Sequence, residues 1–458
     1  MNYENVFQAS SRPHILMITN HGIHQWEIIP GLPDTGGQNV FVNDFTASLA
    51  DKGFKITIVN RGGYEHPVSG EPRTGMHYKD ENQRIFYLED GQASFIRKED
   101  MDEHLPALSM ALYDHLTEEG LPVDLIISHY WDGAKLGILF NQLQEKRVGH
   151  IWVPHSLGAI KKRNVKPEQW PVLRIDERIK NEEEIIKNVD RIAATSAIIK
   201  SSLNEDYRYK EPPLFLPPSV DPKRYHPREV DEGHTIWSFL SQYCDLSTSE
   251  IYNSKIITEI SRTDKTKRKS VLIKAFAEIV QDHPDTVLVV SIDRAEKALS
   301  ASLLDLIENL GVQKRVAIVG SVRDELPDIY AATDIYCTPS IMEGFGMTPQ
   351  EAAATAVPVI ASNLVPFAAE YLLGKVVNEV ESKNGEGFIQ IGQGGIVVPA
   401  DDVSKFAQAL DILLSDPDLR KEMGEKAYAI TIPYFTQENV VGKFLNDIQY
   451  LIPNIKAS

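Results

Sequence analysis

Short, continuous runs of Ile, Val and Leu alternate with amphipathic stretches along almost the whole chain. Runs such as His14–Asn20, Lys55–Arg61, Val123–Tyr130 and Thr286–Ile292 are each followed by a longer segment with helical spacing of its apolar residues. A strand that is apolar on both sides of its pleat must be covered on both faces, as in parallel sheets flanked by helices. The alternation therefore predicts an α/β protein built from doubly wound parallel sheets.

This alternation stops at Pro212–Pro227, which holds six prolines in sixteen residues. Proline lacks a backbone N–H, so the segment is predicted to be a linker or a final edge strand. We place the domain boundary here and predict two Rossmann-like domains, residues 1–220 and 221–435. Because parallel sheets bind ligands at the carboxyl ends of their strands, two such edges facing each other form a cleft.

The composition excludes several classes of protein. The chain has 458 residues, 42% of them hydrophobic, with 47 basic and 65 acidic side chains and a net charge of −18. The acidic balance argues against a nucleic-acid partner, while a local basic cluster still permits small anionic ligands. Two cysteines are too few for a disulfide framework or a structural zinc site. With no signal peptide and no apolar run of about 18 residues, a cytoplasmic protein without a membrane span is predicted.

The first candidate for chemistry is Pro33–Asn39, PDTGGQN, between a strand and a helix. Gly36 and Gly37 permit close approach of a ligand to the backbone, and a helix N-terminus attracts a diphosphate. The alternative is an ordinary glycine-rich helix start capped by Asp34 or Thr35. The absence of G-x-G-x-x-G argues against a nicotinamide dehydrogenase.

The second candidate is Ser261–Lys269, SRTDKTKRK, at the end of the strand that opens the second domain. Arg262 and Lys267 lie just beyond the carboxyl end of that strand, where two cations could neutralise a phosphate leaving group. The alternative is a solvated basic turn, which explains Lys265 better than Arg262.

The third candidate is Glu343–Glu351, EGFGMTPQE, which leads into an alanine-rich helix. Thr348 and Glu351 fit a capping box with proline at the first helical position. That interpretation leaves Glu343 and the glycines unexplained, and a carboxylate before a glycine-rich helix start could bind sugar hydroxyls.

The fourth candidate comprises His155, Tyr130, Lys161 and Arg178. Of these, Tyr130, Lys161 and Arg178 could form a second anion site. A lone histidine is more often structural than catalytic. The spacing alone does not decide whether Tyr130, Lys161 and Arg178 converge.

Together these segments resemble the retaining glycosyltransferases with the two-domain GT-B fold, over essentially the whole chain. The anchors are PDTGGQ, VPHSLG, LPPSVDPKRYHP, SRTDKTK and EGFGMTPQEAAA, and Glu343 and Glu351 match the E-x7-E motif of that family. Within the family the sequence is similar to the sucrose-phosphate synthases, in the neighbourhood of mannosylfructose-phosphate and mannosylglucosylglycerate-forming synthases.

The resemblance implies a role for each matching residue. Catalytic roles fall to His155, Arg262, Lys267 and Glu343. Donor-binding roles fall to Gly36, Gly37, Arg262, Lys267, Gly344, Phe345, Gly346 and Glu351. Acceptor-binding roles fall to Gln38, Tyr130, Lys161 and Arg178. The resemblance also implies that a C-terminal helix, residues 436–458, crosses back to the first, acceptor-binding domain, and that the second domain binds the sugar nucleotide.

The implied reaction is transfer of glucose or mannose, with retention, from UDP-glucose or GDP-mannose. The acceptor is a small polar, phosphorylated compound such as fructose 6-phosphate or a glycerate derivative, for synthesis of a sucrose-type or compatible solute. No metal or other cofactor is expected, since the resemblance implies a metal-independent reaction. The alternatives are a nucleotide-sugar epimerase or phosphorylase, and a non-catalytic regulatory protein that binds sugar nucleotides.

The sequence departs from the family pattern at two places. Ala356 stands where the family has glycine, and a left-handed backbone there would cost about 1 kcal/mol. A polar insertion around Asn378–Gln390 lies near the expected donor-sugar pocket.

Overall fold

A computed structural model describes residues 3–29, 32–293, 297–320, 322–381 and 388–452. The chain divides into two compact units. Unit 1 comprises the residues up to Ser219 together with the C-terminal segment from Gln437, and unit 2 comprises Val220–Thr436.

Unit 1 contains a mostly parallel sheet in the order β3-β4-β2-β1-β5-β6-β7-β8. Its strands are β1 (His14–Ile18), β2 (Lys55–Arg61), β3 (Gly75–Tyr78), β4 (Gln83–Leu88), β5 (Leu125–His129), β6 (Gly149–Val153), β7 (Arg191–Ala194) and β8 (Leu214–Phe215). Every residue of β1 and β2 is buried, which confirms that the apolar runs are covered on both faces. Strand order reverses between β1 and β5, so loops at their carboxyl ends diverge and leave room for a ligand.

Helices cover both faces of this sheet. They are α1 (Tyr3–Ala9), α2 (Gly37–Asp51), α3 (Leu105–Glu118), α4 (Tyr130–Leu143), α5 (Gly158–Asn164), α6 (Ile175–Asn188) and α7 (Ala197–Glu205). A 3-10 turn, Lys98–His104, directly precedes α3. The boundary between them falls before Pro106, because proline fits only in the first turn of an α-helix.

Unit 2 repeats the architecture with the order β11-β10-β9-β12-β13-β16-β15-β14. Its strands are β9 (Lys255–Glu259), β10 (Thr286–Ser291), β11 (Val316–Val319), β12 (Ile335–Thr338), β13 (Val359–Ser362), β14 (Asn378–Glu381), β15 (Phe388–Ile391) and β16 (Gly395–Val398). The polar insertion around Asn378–Gln390 contributes the antiparallel pair β14–β15 at the end of the sheet, and its residues 382–387 lie outside the described residues. Charged side chains are compatible with the edge of a sheet, because one side of an edge strand has no hydrogen-bonded neighbouring strand.

The helices of unit 2 are α8 (Thr235–Leu240), α9 (Thr248–Tyr252), α10 (Lys269–Ile279), α11 (Lys297–Asn309), α12 (Leu326–Ala331), α13 (Met347–Ala354), α14 (Val403–Ser415) and α15 (Pro417–Thr431). The last helix, α16 (Gln437–Ile448), returns to unit 1. There Phe444 packs edge-on against Phe45 of α2, with 5.3 Å between the ring centroids. The apolar face of α16 thereby completes the core on one side of the first sheet.

The proline-rich segment at residues 212–227 contains β8, which pairs only with β7 and forms the edge of the first sheet. A final edge strand was one of the two structures expected there. Its short length fits a segment in which proline removes ladder hydrogen bonds on both sides.

Ala356 adopts a left-handed backbone with φ 61°. The glycine that the family has at this position is consistent with such a backbone. We expect Ala356→Gly to raise the free energy of unfolding by about 0.5–1 kcal/mol, since glycine avoids the Cβ clash at some cost in unfolded-chain entropy. Denaturant unfolding followed by circular dichroism measures this change. As a control, Ala354→Gly inside α13 should lower stability by at least about 1 kcal/mol. A destabilised Ala356→Gly variant would contradict the prediction.

Candidate active site

Three cation-bearing elements and one tyrosine surround a pocket in unit 1. Tyr130 is the first residue of α4, Lys161 lies on α5, and Arg178 lies on α6, and all three line this pocket. Tyr130 follows β5 directly, so it lies at the carboxyl end of the sheet next to the reversal of strand order. The structure thus brings together the three residues whose convergence the sequence left open.

Arg178 is buried and bound by protein groups on most of its guanidinium. Its Nε donates to Glu182 Oε1 at 2.8 Å and its Nη1 donates to Tyr130 Oη at 2.7 Å. Its Nη2 donates to the carbonyl of Ser156 at 2.6 Å. Glu182 is fully buried and also accepts from the backbone N–H of Gly158. Arg178 therefore braces the pocket wall in addition to contributing positive charge.

Tyr130 is held in a left-handed backbone with φ 66°, and its ring lies 4.4 Å under the Arg178 guanidinium. Burial raises the pKa of its phenol, but Arg178, Lys98 and Lys161 outweigh burial and hold the pKa below its ordinary value. Because Oη accepts from Arg178 and from Ser156 Oγ, the phenol proton remains available to donate to an anion in the pocket.

Two further cations line the same pocket, Lys98 and Arg174, and sequence reasoning missed both. Lys98 begins the 3-10 turn and forms an ion pair with Asp34, whose carboxyl would have its pKa raised by burial but has it lowered by Lys98. Arg174 precedes α6 in a left-handed conformation, with Nη2 3.2 Å from Asp100 Oδ1. The sequence carries no signal for Lys98, since RKED resembles a solvated turn and only packing brings it to α5 and α6.

Lys161 is the pocket cation with the weakest protein partner, Glu99 Oε1 at 3.7 Å. Its side chain is only 17% exposed, and burial lowers its pKa. An ammonium group in this setting gains more from an incoming anion than a solvated lysine would.

The glycine-rich segment forms the start of α2. Gly36 is extended, and its N–H donates to Asn39 Oδ1 at 2.9 Å, while Gly37 begins the helix. Gln38 Nε2 donates to Thr19 Oγ1 at 3.0 Å, so this side chain ties α2 to the end of β1 and does not line the pocket. Close approach is required earlier in the same loop, where a Cβ on Gly22 would lie 2.4 Å from the carbonyl oxygen of Asp34.

His155 follows β6 in a left-handed conformation with φ 55°. Its Nε2 lies 2.8 Å from Nδ1 of His129, and its ring packs edge-on against Phe41. Burial and the nearby His21 lower the pKa of His155 to about 3, so the imidazole is neutral at physiological pH. A neutral ring at this position can exchange hydrogen bonds with hydroxyls without placing a charge beside them.

In unit 2 the structure joins two predicted residues. Lys267 Nζ lies 2.5 Å from Glu343 Oε1, with 11% and 16% of the two side chains exposed. Arg262 is 49% exposed just after β9 and lies 3.7 Å from Asp264. Asp264 caps the 3-10 turn Lys265–Lys267 by accepting from the N–H of Thr266 at 2.8 Å, which orients the turn.

The capping box predicted before the alanine-rich helix is wrong. Helix α13 begins at Met347, and its N-cap is Gly346 at φ 111°, where a Cβ would lie 2.9 Å from Val365 Cγ1. Thr348 Oγ1 instead accepts from Tyr336 at 2.8 Å, and Tyr330 donates to Glu351 Oε2 at 3.3 Å. Only glycine combines this backbone with that close approach, so the helix starts two residues earlier than the box implied.

Of the two glycines that flank Phe345, Gly344 is exposed and Gly346 is buried. Phe345 itself is buried among the rings of Phe367, Tyr371 and Phe435. The carbonyl of Phe345 accepts from the N–H of Phe367 at 2.8 Å. This anchored aromatic side chain leaves the backbone of Gly344 at the surface, shortly before the N-terminus of α13.

Within the ranges that the structure describes, no cluster of three or more His, Cys, Asp or Glu side chains has the geometry to hold a metal ion. Over the same ranges, no helix combines the length and the apolar character needed to cross a membrane.

Two family models match the chain and together cover most of it. The model described as Glycosyltransferase Family 4 matches residues 35–224, and the model described as Glycosyl transferases group 1 matches residues 248–430. Both models describe glycosyltransferases, and the chain is a glycosyltransferase. It is therefore an enzyme of the transferase class, as the resemblance predicted.

Among the relatives of this glycosyltransferase is mannosylfructose-phosphate synthase of Agrobacterium fabrum, 28% identical over 365 residues, which covers 76% of each chain. Another is D-inositol 3-phosphate glycosyltransferase of Corynebacterium jeikeium, 27% identical over 418 residues, which covers 87% of this chain and 88% of the relative.

Solved structures establish the fold of this glycosyltransferase. Sucrose-phosphate synthase from Thermosynechococcus elongatus superimposes with a TM-score of 0.78 at 22% identity, over 97% of this chain and all of that one. Anabaena HepE in complex with UDP-glucose superimposes with a TM-score of 0.66 at 15% identity, over 95% and 99% of the two chains. The predicted GT-B fold class, with two Rossmann-like α/β units, is confirmed.

Proposed function

We propose that this glycosyltransferase moves a hexose, with retention of configuration, from a nucleoside diphosphate sugar to a small phosphorylated acceptor. Unit 1 binds the acceptor and unit 2 binds the donor. The observation that carries the proposal is the pocket of unit 1, in which Lys98, Lys161 and Arg178 converge with the phenol of Tyr130. Four cations line this pocket against three carboxylates, Glu99, Asp102 and Glu177. This excess of positive charge, with the Tyr130 phenol as a donor, suits a phosphate dianion better than a neutral sugar.

The names of the relatives point to the same acceptor class. One forms mannosylfructose phosphate, and another acts on inositol 3-phosphate, so both names contain a small phosphorylated polyol or sugar. We therefore propose fructose 6-phosphate, an inositol phosphate or phosphoglycerate as the acceptor, and UDP-glucose or GDP-mannose as the donor.

On the donor side, Arg262 and Lys267 bind the diphosphate, and the glycine-rich start of α13 presents free N–H groups to it. Glu343, which pairs with Lys267 in this structure, exchanges that contact for hydroxyls of the donor sugar. Glu351, on α13, binds the ribose hydroxyls. Phe345 keeps the exposed backbone of Gly344 and the buried backbone of Gly346 in place beside the sugar.

In the reaction, the bond from the anomeric carbon to the phosphate oxygen breaks, and its electron pair passes to the diphosphate. The acceptor hydroxyl oxygen forms the new bond on the same face, and its proton passes to the departing phosphate oxygen. Arg262 and Lys267 stabilise the negative charge that develops on the diphosphate. His155, as a neutral imidazole, binds a donor-sugar hydroxyl, while Gly36 and Gly37 approach the substrates with their backbone and Gln38 supports them through Thr19.

A matrix of donors and acceptors tests the proposal. UDP-glucose, GDP-mannose and ADP-glucose are each incubated with fructose 6-phosphate, inositol 3-phosphate, 3-phosphoglycerate, free fructose and free inositol. Nucleoside diphosphate release is expected only with a phosphorylated acceptor, with an α-linked product by NMR. Turnover restricted to unphosphorylated acceptors would overturn the acceptor assignment. Conversion of the donor to its epimer without acceptor would identify an epimerase instead.

Replacing Lys161 with methionine is expected to raise KM for the phosphorylated acceptor about tenfold, with kcat at saturating acceptor little changed. The reason is that Lys161 has the weakest protein partner among the pocket cations, so its contact with phosphate is gained on binding. Initial rates over a range of acceptor concentrations measure the change. Lys162→Met, one residue along α5 with its ammonium paired to Asp176, is the matched control and should leave KM unchanged. Equal KM values in the two variants would refute the assignment.

A further inference from the structure

We infer that a buried ion pair, Glu259–Lys269, positions the diphosphate-binding loop of unit 2, defined as Ser261–Lys267. This inference rests on the proposed role of Arg262 and Lys267. Glu259 ends β9 and Lys269 begins α10, so the pair joins the two elements that flank the loop. Neither residue is among those that the resemblance assigns to substrate.

Lys269 is buried with all three of its N–H groups satisfied. Its Nζ lies 2.6 Å from Glu259 Oε2, 2.9 Å from the carbonyl oxygen of Ser261 and 3.1 Å from Ser291 Oγ. Glu259 is fully buried, and its second oxygen accepts from the hydroxyl of Ser261. The charges are therefore matched and oriented, with little freedom for either side chain.

Every polar atom of Ser261 is held by this network. Its carbonyl accepts from Lys269 and from Ser291 Oγ, the latter at 2.7 Å, its N–H donates to Ser291 Oγ at 3.0 Å, and its hydroxyl donates to Glu259. Ser261 immediately precedes Arg262. These hydrogen bonds therefore fix the backbone immediately before Arg262.

The rest of the loop is attached to neighbouring segments of unit 2. Thr263 and Asp293 exchange two hydrogen bonds, of 3.1 and 2.9 Å. The carbonyl of Thr266 accepts from the N–H of Ile341 at 2.8 Å, two residues before Glu343. The spacing between Lys267 and Glu343 therefore depends on where the loop leaves Ser261.

Burying the charges of Glu259 and Lys269 has a cost in the free energy of folding. A buried pair is generally no more stabilising than apolar residues of similar size, because both charges lose their hydration. A lysine at the first position of α10 also faces the positive end of the helix dipole. Since neither effect favours Lys269 for folding, its benefit lies in the hydrogen bonds that fix Ser261, which an apolar pair cannot make.

The decisive variant replaces both charges, Glu259→Leu together with Lys269→Met, so that no unpaired charge remains buried. We expect this variant to keep its thermal midpoint, because the pair is no more stabilising than an apolar pair. Its Kd for UDP or GDP, measured by calorimetry, should rise at least tenfold, and kcat/KM should fall at least tenfold. Unchanged affinity and kcat/KM would overturn the inference. The matched control exchanges a buried pair of unit 1, Arg84→Met with Glu119→Leu, and should leave nucleotide affinity unchanged.

Two more variants keep the result interpretable. Lys267→Ala tests the proposed function directly: if it binds nucleotide and turns over normally, the loop is not the diphosphate site and both proposals fail. If Lys267→Ala is impaired but the double variant is not, the positioning role alone fails. Should the double variant not fold, Ser291→Ala removes two of the bonds to Ser261 without unpairing a charge. It should weaken nucleotide binding several-fold, and wild-type affinity in it would count against the inference.

Discussion

Replacing Lys267 with alanine is expected to lower kcat for hexosyl transfer by about 10²- to 10³-fold, the usual loss when one preorganised donor to developing charge is removed. The Lys267 ammonium is fixed by the loop turn that Asp264 caps and by Glu343 at 2.5 Å, so it is already oriented before substrate binds. In the transition state the diphosphate gains charge, and the fixed cation stabilises that charge more than it stabilises the ground state.

The measurement is the single-turnover rate with the donor and acceptor identified from the substrate matrix. Lys265→Ala is the matched control, because Lys265 lies two residues earlier in the same turn, is exposed and has no assigned role. Circular dichroism should be unchanged in both variants, since the ion pair that Lys267 forms is with a partly exposed carboxylate, Glu343. A Lys267→Ala variant with wild-type turnover would remove the leaving-group site from unit 2.

Acidification is expected to destabilise unit 1 strongly. Burial lowers the pKa of His14, His24 and His150 to about 3, and that of His129 well below its ordinary value. The unfolded chain takes up these protons as the pH falls through about 6.5, whereas the folded unit does so only near pH 3. With respect to these histidines, unit 1 therefore has its full free energy of unfolding above about pH 6.5. Below that pH the free energy of unfolding falls, and the loss reaches about 2 kcal/mol per histidine at pH 5.

Urea unfolding at pH 7.5, 6 and 5 measures this loss. Four of the five tryptophans, Trp26, Trp131, Trp152 and Trp170, belong to unit 1, so tryptophan fluorescence reports mainly on that unit. His150→Gln keeps a hydrogen-bond partner for Ser128. It removes one group that takes up a proton on unfolding, so the slope of the free energy of unfolding against pH should decrease by the contribution of about one proton. His77→Gln, at an exposed position of β3, is the control and should leave the slope unchanged. Stability that does not vary between pH 7.5 and 5 would show that these histidines do not stay neutral in the folded unit.

Strand positions could be predicted because burial on both faces demands an uninterrupted apolar run. His14–Ile18, Lys55–Arg61 and Thr286–Ser291 each coincide with such a run. The sequence did not predict β3, β14 or β15. Strands β3 and β14 lie at sheet edges, and β15, between β14 and β16, has only its alternate residues buried. Edge strands need no continuous apolar run, so their sequences resemble loops.

The start of α13 shows how close packing overrides a local pattern. Thr348, Pro349 and Glu351 fit a capping box, and each could have served in one. The approach of Val365 to Gly346 instead requires a glycine in a left-handed conformation, and this places the cap two residues earlier. A contact between residues nineteen positions apart is not visible in the capping pattern.

The sequence by itself determined the α/β class, the strand order along the chain and the chemistry available at each strand end, because these depend on local runs and on residue type. Tertiary structure alone decided which charges share a pocket. Lys98 and Arg174 join Lys161 and Arg178 only because the 3-10 turn packs beside α5 and α6, and Gln38 turns to Thr19 instead. The physical reason is the range over which each property is set. Apolar patterning depends on residues that are neighbours in sequence, whereas the distance between two charges depends on every element packed between them.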